Sequence, residues 1–295
     1  MKEAGKIIAY FAAVVILGAM VAPLLYWGGR WLADTGIFVM LGKVPFSRFF
    51  NRAVLISALA LLWPFLRSMT VPHWRALGLQ PNPRRGYDLL LGTAIGIAAI
   101  ACVVLPMFLL GAAEFRDPLP WHKVVFAVGT GAVVALIEET FFRGFLFGVL
   151  RRTLSWRLSL AFLSMFFAVV HFLKPGPGVK SMDDIHWLSG FDLLPHVFDS
   201  FRDPQGVFLG WVTLVIFGWL LGYTVVRTRS LYLAVGLHAG FVFAMRAFAQ
   251  TTVRRGDLSP WIGRDLTTGI VPVVLLLATV GVLYGLLRRR RVTDG

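Results

Sequence analysis

The sequence predicts an all-α, polytopic integral membrane protein, a bundle of about eight transmembrane helices. Of its 295 residues, 57% are hydrophobic and 15% are charged, and the mean hydropathy is +0.74. Ordinary soluble domains carry roughly 25% charged residues. Several apolar runs reach the roughly 17–25 residues that a helix needs to cross a bilayer. Barrel strands would alternate over about 10 residues, and these runs do not, so helices are expected.

Eight apolar runs predict the individual spans. The first run follows Lys2 and Lys6 as in a signal peptide, but it continues past Pro23, so a retained span is expected. The second and fifth runs are short, which fits helices beside a thinned region of bilayer. Pro64 and Pro272 are accommodated as a kink and as a first-turn proline. The predicted spans are 7–27, 52–69, 89–112, 122–150, 158–173, 207–226, 231–250 and 270–287.

Two segments between the spans stand out. Residues 28–51 lead into a basic-aromatic stretch at 46–52, which is expected at the membrane interface. Residues 174–206 form the longest loop and could hold a metal ion, but tight ligand spacing is lacking, so a solvated loop is expected. Its candidate ligands are Asp183, Asp184, His186, Asp192, His196, Asp199 and Asp203. A single integral domain over residues 1–295 is the simplest division.

The net charge of +14 is spread over short loops, where basic residues set topology and meet anionic head groups. Because no long basic helix or RNA-binding motif is present, nucleic acid is not an expected partner. The dense basic loops at 151–157 and 227–229 and the tail 288–291 favour both termini in the cytoplasm, in the inner membrane of a bacterium. Cys102 stands alone and indicates no redox compartment. The sequence predicts no oligomeric state.

Glu138, Glu139 and Arg143 interrupt the apolar run 122–150. An ionisable side chain costs at least about 2.5–3.5 kcal/mol at the centre of a membrane helix, so these three require partners or a function. Glu139 and Arg143 are four residues apart with the acid first, which favours an ion pair on one helix face. Glu138 points about 100° away and is left as the unpaired carboxylate, a candidate general base.

Two membrane histidines extend this set. His171 ends the fifth run and His238 lies inside the seventh. At 1.5 Å per residue from the predicted inner ends of their spans, Glu138, His171 and His238 lie roughly 18, 20 and 10 Å deep. These depths predict a shared layer of the membrane, with water held between Glu138 and His171. Gly236 and Gly240 flank His238 and predict a close approach of neighbouring helices.

Three motifs in this order resemble the CPBP family. They are Glu-Glu-x-x-x-Arg at 138–143, Phe-x-x-x-His at 167–171 and the later histidine at 238. The family comprises CAAX-processing and bacteriocin-processing membrane proteases, also described as glutamic-type intramembrane endopeptidases. The resemblance is anchored in residues 122–250.

The resemblance implies a site inside the bilayer that cleaves a membrane-associated peptide or protein without a cofactor. Glu138 and His171 would activate a water molecule for attack on the scissile carbonyl. Glu139 and Arg143 would shape the site and engage the substrate. His238 would stabilise the oxyanion, a task that suits a donor aimed at developing charge.

One position departs from the family pattern, and two other functions therefore stay open. Members commonly carry a polar residue four positions after the last histidine, where this chain has Val242. Arg246 is a candidate substitute, although an interfacial anchor is its more ordinary role. A zinc metalloprotease is the first alternative, disfavoured because no His-Glu-x-x-His helix is present and Arg143 repels a dication. The second is a non-catalytic membrane protein of the same fold, such as a transporter, a peptide-binding scaffold or a bacteriocin immunity protein.

Overall fold

The computed structural model describes residues 2–69, 77–80, 83–173, 175, 184–263 and 265–288, with residues 2–4 described by their backbone alone. Contacts between Cα atoms separate the chain into two compact units. The first unit comprises Met1–Pro72 and His171–Pro204, and the second comprises His73–Val170 and Gln205–Gly295. That residues 1–295 form a single integral domain stays a prediction.

Helices form almost all of the described secondary structure, so the predicted all-α class is confirmed. The α-helices are α1 (Lys2–Asp34), α2 (Phe46–Ser68), α3 (Arg85–Leu109), α4 (Trp121–Glu139), α5 (Phe147–Leu150), α6 (Trp156–Phe172), α7 (Ser189–Asp192), α8 (Pro204–Thr228), α9 (Tyr232–Thr251) and α10 (Ile270–Arg288). Short 3₁₀ helices lie at Val39–Lys43 and Pro195–Arg202, and a π-helix at Thr140–Leu146. The strands are β1 (Ala113–Phe115) and β2 (Thr252–Arg254).

Seven helical segments of the described chain are long and apolar enough to cross a membrane, which makes this a multi-pass integral membrane protein. They match seven of the eight predicted spans. The predicted fifth span, 158–173, corresponds to α6, which has 17 residues and is shorter than the other seven. The seven segments are Gly5–Asp34, Phe46–Ser68, Arg85–Leu109, Trp121–Leu150, Pro204–Thr228, Tyr232–Thr251 and Ile270–Arg288.

The segments predicted as loops contain more helix than expected. α1 continues to Asp34, beyond the predicted end at residue 27, although Gly28 and Gly29 have low helix propensity. The basic-aromatic stretch is the start of α2, and Phe46, Phe49 and Phe50 are buried at helical spacing. Within 174–206, the described part forms α7 and a 3₁₀ helix. Asp183 lies outside the described residues.

The first unit is built on the antiparallel pair α1 and α2. Tyr10 stacks on Phe65 near one end of the pair, with ring centroids 4.3 Å apart, and Tyr26 meets Phe46 near the other. A methyl group added at Gly18 would overlap α2, so the absence of a side chain there permits the close crossing. α7 packs on the same face of α1 as part of a cluster of buried apolar residues.

The second unit is organised around α9, which lies between α3 and α4. Gly92 and Gly96 of α3 face the backbone of α9, and Gly236 and Gly240 of α9 face the backbone of α3. A methyl group at any of the four would overlap backbone atoms of the other helix. On the other side of α9, Gly131 of α4 lies against a backbone carbonyl. The close approach predicted from Gly236 and Gly240 is therefore confirmed, and it holds the helix of the last histidine firmly in place.

The remaining helices of the second unit pack in the same way. Gly218 and Gly222 of α8 lie against Ser164 and Leu160 of α6, so these two helices are antiparallel. Arg227 near the end of α8 donates to two backbone carbonyls at the end of α10, at 2.8 and 3.0 Å. α8 and α10 therefore end on the same side of the unit.

A two-stranded antiparallel sheet joins the C-terminal ends of α3 and α9. β1 follows α3 and β2 follows α9, with Glu114 opposite Val253. The sequence analysis did not predict this sheet, because three-residue strands carry no detectable alternation. We call this side of the second unit the sheet end and the opposite side the basic end.

The charged residues of the second unit differ between these two ends. Among its described residues the basic end carries one acidic side chain, Asp88, which is buried. The cations of the basic end are Arg84, Arg85, Arg151, Arg152, Arg157, Arg227, Arg229 and Arg288. The sheet end is mixed: its acids are Glu114, Asp117, Asp257 and Asp265, and its cations are Arg116, Lys123, Arg246, Arg254 and Arg255.

Candidate active site

The span Trp121–Leu150 changes its helical form at the acidic pair. α4 ends at Glu139, the π-helix Thr140–Leu146 follows, and α5 completes the span. π-Helical segments are rare and occur frequently at functional sites, because the wider turn moves side chains away from their α-helical positions. The residues themselves carried no signal for it, and the sequence analysis assumed a regular α-helix throughout.

The predicted ion pair between Glu139 and Arg143 is present. Arg143 Nη1 donates to Glu139 Oε1 at 3.0 Å, and both side chains are fully buried. Arg143 Nη2 donates to the backbone carbonyl of Gly218 on α8 at 3.1 Å. The guanidinium carbon lies 4.5 Å from the ring centroid of Phe167 on α6. Arg143 thus ties the π-helix to α6 and α8 and is fixed on three sides.

Glu139 also holds the histidine of α9. His238 Nδ1 lies 2.8 Å from Glu139 Oε1, the same oxygen that accepts from Arg143. An ionised carboxylate can only accept, so Nδ1 carries a proton and donates it in this bond. The tautomer of the neutral imidazole is thereby set, with its lone pair at Nε2. Phe217 and Phe167 flank the ring edge-on, at 5.4 and 6.2 Å between centroids, and restrict its rotation.

Glu138 meets the other side of the same imidazole. Its Oε2 lies 3.9 Å from His238 Nε2, too far for a direct hydrogen bond and close enough for one water molecule to bond to both. Glu138 takes no part in the bond between Glu139 and Arg143, and α9 places His238 beside it, a neighbour that the sequence did not predict. The Glu138 side chain is 28% exposed whereas that of Glu139 is fully buried, and the Oε2 atom of Glu138 is itself buried.

The charges of this cluster nearly cancel. Ionised Glu138 and Glu139 carry two negative charges and Arg143 carries one positive charge, which leaves one negative charge in an apolar environment. Net charge inside a bilayer is costly, so these side chains depend on one another to compensate their charges.

Comparison with known proteins relates part of the chain to a protein family. Residues 120–244 match the family model described as type II CAAX prenyl endopeptidase Rce1-like. The family resemblance predicted from the motifs is thereby confirmed over this segment, which includes all five candidate site residues. Over this segment the match supports a CAAX-protease-like hydrolase. No curated protein and no solved structure matches the chain.

Four of the five candidate residues lie together within the Rce1-like segment: Glu138, Glu139, Arg143 and His238. His171 lies near the end of α6 and is assigned to the first unit. Its predicted partnership with Glu138, and the catalytic roles of all five residues, stay predictions. Val242 is half-buried one turn beyond His238, and Arg246 is exposed a further turn along α9.

The arrangement of ligating groups bears on the zinc alternative. Among the described residues, no group of three or more His, Cys, Asp and Glu side chains is arranged to hold a metal ion. In the cluster itself, Glu139 Oε1 and His238 Nδ1 are already bonded to each other, and Arg143 adds a positive charge. That the site works without a metal ion stays a prediction.

Sequence reasoning missed the neighbours that complete the site. The carbonyl of Gly218 and the rings of Phe167 and Phe217 come from other helices and carry no ionisable group. Only the Phe-x-x-x-His motif contained a hint, because its Phe167 turns out to support Arg143.

Proposed function

We propose that the chain is an intramembrane endopeptidase of the glutamic type, in which Glu138 is the general base. The observation that carries the proposal is the shared oxygen of Glu139. Because Glu139 Oε1 accepts from both Arg143 and His238, the imidazole is held with Nε2 toward Glu138 Oε2. A water molecule between these two atoms would face Glu138, the proposed general base, on one side. On the other side it would face His238, which can also carry a proton.

The chemical steps follow from this arrangement. Glu138 takes a proton from water as the water oxygen bonds to the scissile carbonyl carbon, and the carbonyl oxygen becomes an oxyanion. With both ring nitrogens protonated, His238 donates Nε2–H to that oxyanion, while Nδ1–H keeps its bond to Glu139. Protonated Glu138 then gives its proton to the leaving amine as the C–N bond breaks. Glu139 and Arg143 touch no reacting atom in this scheme and are positioning residues.

The proposal also covers the role of His171 and the metal requirement of the reaction. As the family resemblance implies, His171 is proposed to orient the water with Glu138. No metal ion is proposed to be required, because the positive charge of Arg143, bonded to Glu139 beside His238, disfavours a dication at this site.

The charge distribution supports the proposed membrane topology. Basic residues accumulate on the cytoplasmic side of membrane proteins. α10 ends at the basic end of the second unit, which supports a cytoplasmic C-terminus. An even number of spans would then place the N-terminus there too, and we propose the inner membrane of a bacterium as the location.

The proposal is tested by cleavage of a mixed library of membrane-anchored peptides by purified protein in proteoliposomes. We expect the wild type to cleave and Glu138→Gln to lose at least about 10²-fold in rate, since general-base catalysis typically contributes 10²–10⁴-fold. Glu114→Gln, at the sheet end, is the matched control and should cleave normally. Chelator should have no effect. Full cleavage by a folded Glu138→Gln variant would defeat the assignment, and chelator-sensitive cleavage with stoichiometric zinc would favour the metalloprotease.

Val242 is the observation that favours a second candidate function, a peptide-binding protein without catalysis. It offers no hydrogen-bond donor one turn beyond His238, where an oxyanion would need one. We expect Val242→Asn to raise the cleavage rate by supplying that donor. Binding without cleavage in the wild type, retained when Glu138 and His171 are both replaced by alanine, would support the binding protein instead.

A further inference from the structure

The basic end of the second unit lies closer to the site than the sheet end does. His238 is nine residues beyond Arg229 and fourteen before Thr252, or about 14 Å and 21 Å along the helix axis. Glu138 is thirteen residues before Arg151 and seventeen after Trp121, or about 20 Å and 26 Å. A peptide bound at Glu138 and His238 therefore reaches the basic end first.

The basic end presents a ring of exposed cations to such a peptide. Arg151, Arg152 and Arg157 surround the turn between α5 and α6, and Arg84 and Arg85 begin α3. Their side chains are exposed, and among the described residues of this end the single acid, Asp88, is buried. The surrounding field is therefore positive, and such a field attracts anionic segments and raises their local concentration.

From these distances we infer that the preferred substrates carry acidic side chains about four to six residues from the scissile bond, on the flank that emerges at the basic end. An extended peptide advances about 3.3 Å per residue, so four to six residues cover the roughly 14–20 Å from the site to the arginine ring. The inference rests on the proposed peptidase function. It adds a substrate class, which the positions of the reacting groups alone do not give.

Topology alone also predicts basic residues at a cytoplasmic end, so the experiment has to separate the two roles. We would use full-length protein in non-ionic detergent, where neither lipid charge nor insertion orientation acts. The probes are membrane-anchor peptides with a randomised apolar segment, followed by a flank with three Asp, three Gln or three Lys residues. Mass spectrometry reports each cleavage position relative to the flank.

We expect the Asp flank to be cleaved with a higher kcat/KM than the Gln flank, and the Lys flank with a lower one. Replacing Arg151 and Arg152 together by Gln should reduce the Asp-over-Gln preference about three- to tenfold and leave the Gln rate unchanged. The preference should also collapse at about 0.5 M salt, where the screening length falls to a few ångströms. The matched control replaces Arg116 and Lys123, at the sheet end, by Gln. This variant should keep the preference for the Asp flank over the Gln flank.

The outcomes distinguish this inference from the proposed function. Equal cleavage of all three flanks by the wild type would overturn the inference and leave the peptidase standing. Cleavage of none would overturn the peptidase and the inference with it. An equal loss on Asp and Gln flanks in the Arg151/Arg152 variant would mean that these arginines support the fold rather than the substrate. Replacing Arg151 and Arg152 could alter cleavage only when anionic lipid is added to the detergent. That result would overturn the inference, because the arginines would then bind a lipid surface rather than the peptide.

Discussion

The protein contains two carboxylate–arginine pairs in opposite environments. Glu139 and Arg143 pair inside the second unit, with both side chains fully buried. Glu114 of β1 and Arg255, just after β2, pair at the sheet end, where their side chains are 50% and 59% exposed. The buried pair has further partners in Gly218 and His238.

The comparison teaches that burial, rather than the identity of the partners, decides what such a pair does. Water and ions screen the exposed pair, so either partner can lose the other at little cost. Neither member of the buried pair can be rehydrated, so each depends on the other to compensate its charge. The buried pair can therefore fix the orientation of His238, which a pair that opens and closes in water could not do.

The largest expected effect comes from removing one partner of the buried pair. Arg143→Ala should lower the free energy of unfolding by about 3–5 kcal/mol, because it leaves the Glu139 charge uncompensated in an apolar interior. Arg255→Ala, the matched change in the exposed pair, should lower stability only slightly. Thermal or denaturant unfolding in detergent, followed by tryptophan fluorescence, measures both. Similar losses in the two variants would contradict the comparison.

The next prediction concerns removing both partners at once. The double variant Glu139→Leu with Arg143→Leu should be more stable than Arg143→Ala by about 2 kcal/mol, because no uncompensated charge remains. Cleavage should nevertheless stay lost, since His238 no longer has an acceptor for Nδ1–H. Recovery of stability without recovery of activity would show that Glu139 and Arg143 act by orienting His238. If the double variant cleaves peptide normally, the positioning role is wrong.

How much of this site could be predicted follows from the same comparison. The Glu139–Arg143 pair is local in sequence, so spacing alone predicted it. Hydropathy likewise predicted the membrane spans, and Gly236 with Gly240 predicted a close helix contact. The bonds of Glu139 to His238 and of Arg143 to Gly218 join residues 99 and 75 positions apart, and only helix packing creates them. The π-helix at Thr140–Leu146 was not predicted, because the residue pattern there carries no signal that separates it from an α-helix.

Two glycines, one packed against another helix and one with open space around it, allow the same comparison for residues without charge. Gly96→Ala should cost about 1–3 kcal/mol, because the added methyl group overlaps the backbone of α9. Gly281 of α10 has open space around it, so Gly281→Ala should be neutral or stabilise by up to about 1 kcal/mol through helix propensity. The same unfolding assay in detergent compares the two. Equal effects would mean that α3 and α9 can separate without cost.

The smallest expected effect is the pH dependence of the exposed pair. The hydrogen bond from Arg255 holds the pKa of Glu114 below its ordinary value. The folded state therefore binds this proton less readily than the unfolded state does, and the pair contributes stability only above the unfolded carboxyl pKa. That contribution disappears as the pH falls through the lowered pKa.

Glu114→Gln removes this carboxylate with little change in shape, so it isolates the effect. The wild type should melt slightly above the variant at about pH 7, and the two should converge once the pH has fallen below the lowered pKa, where the carboxyl group is protonated in both states. High salt at neutral pH should shrink the same difference, because screening weakens an exposed pair. A difference that persists in acid and in salt would have to come from packing of the Glu114 side chain on the sheet. The pair at the sheet end would then resemble the buried pair in depending on more than its charges.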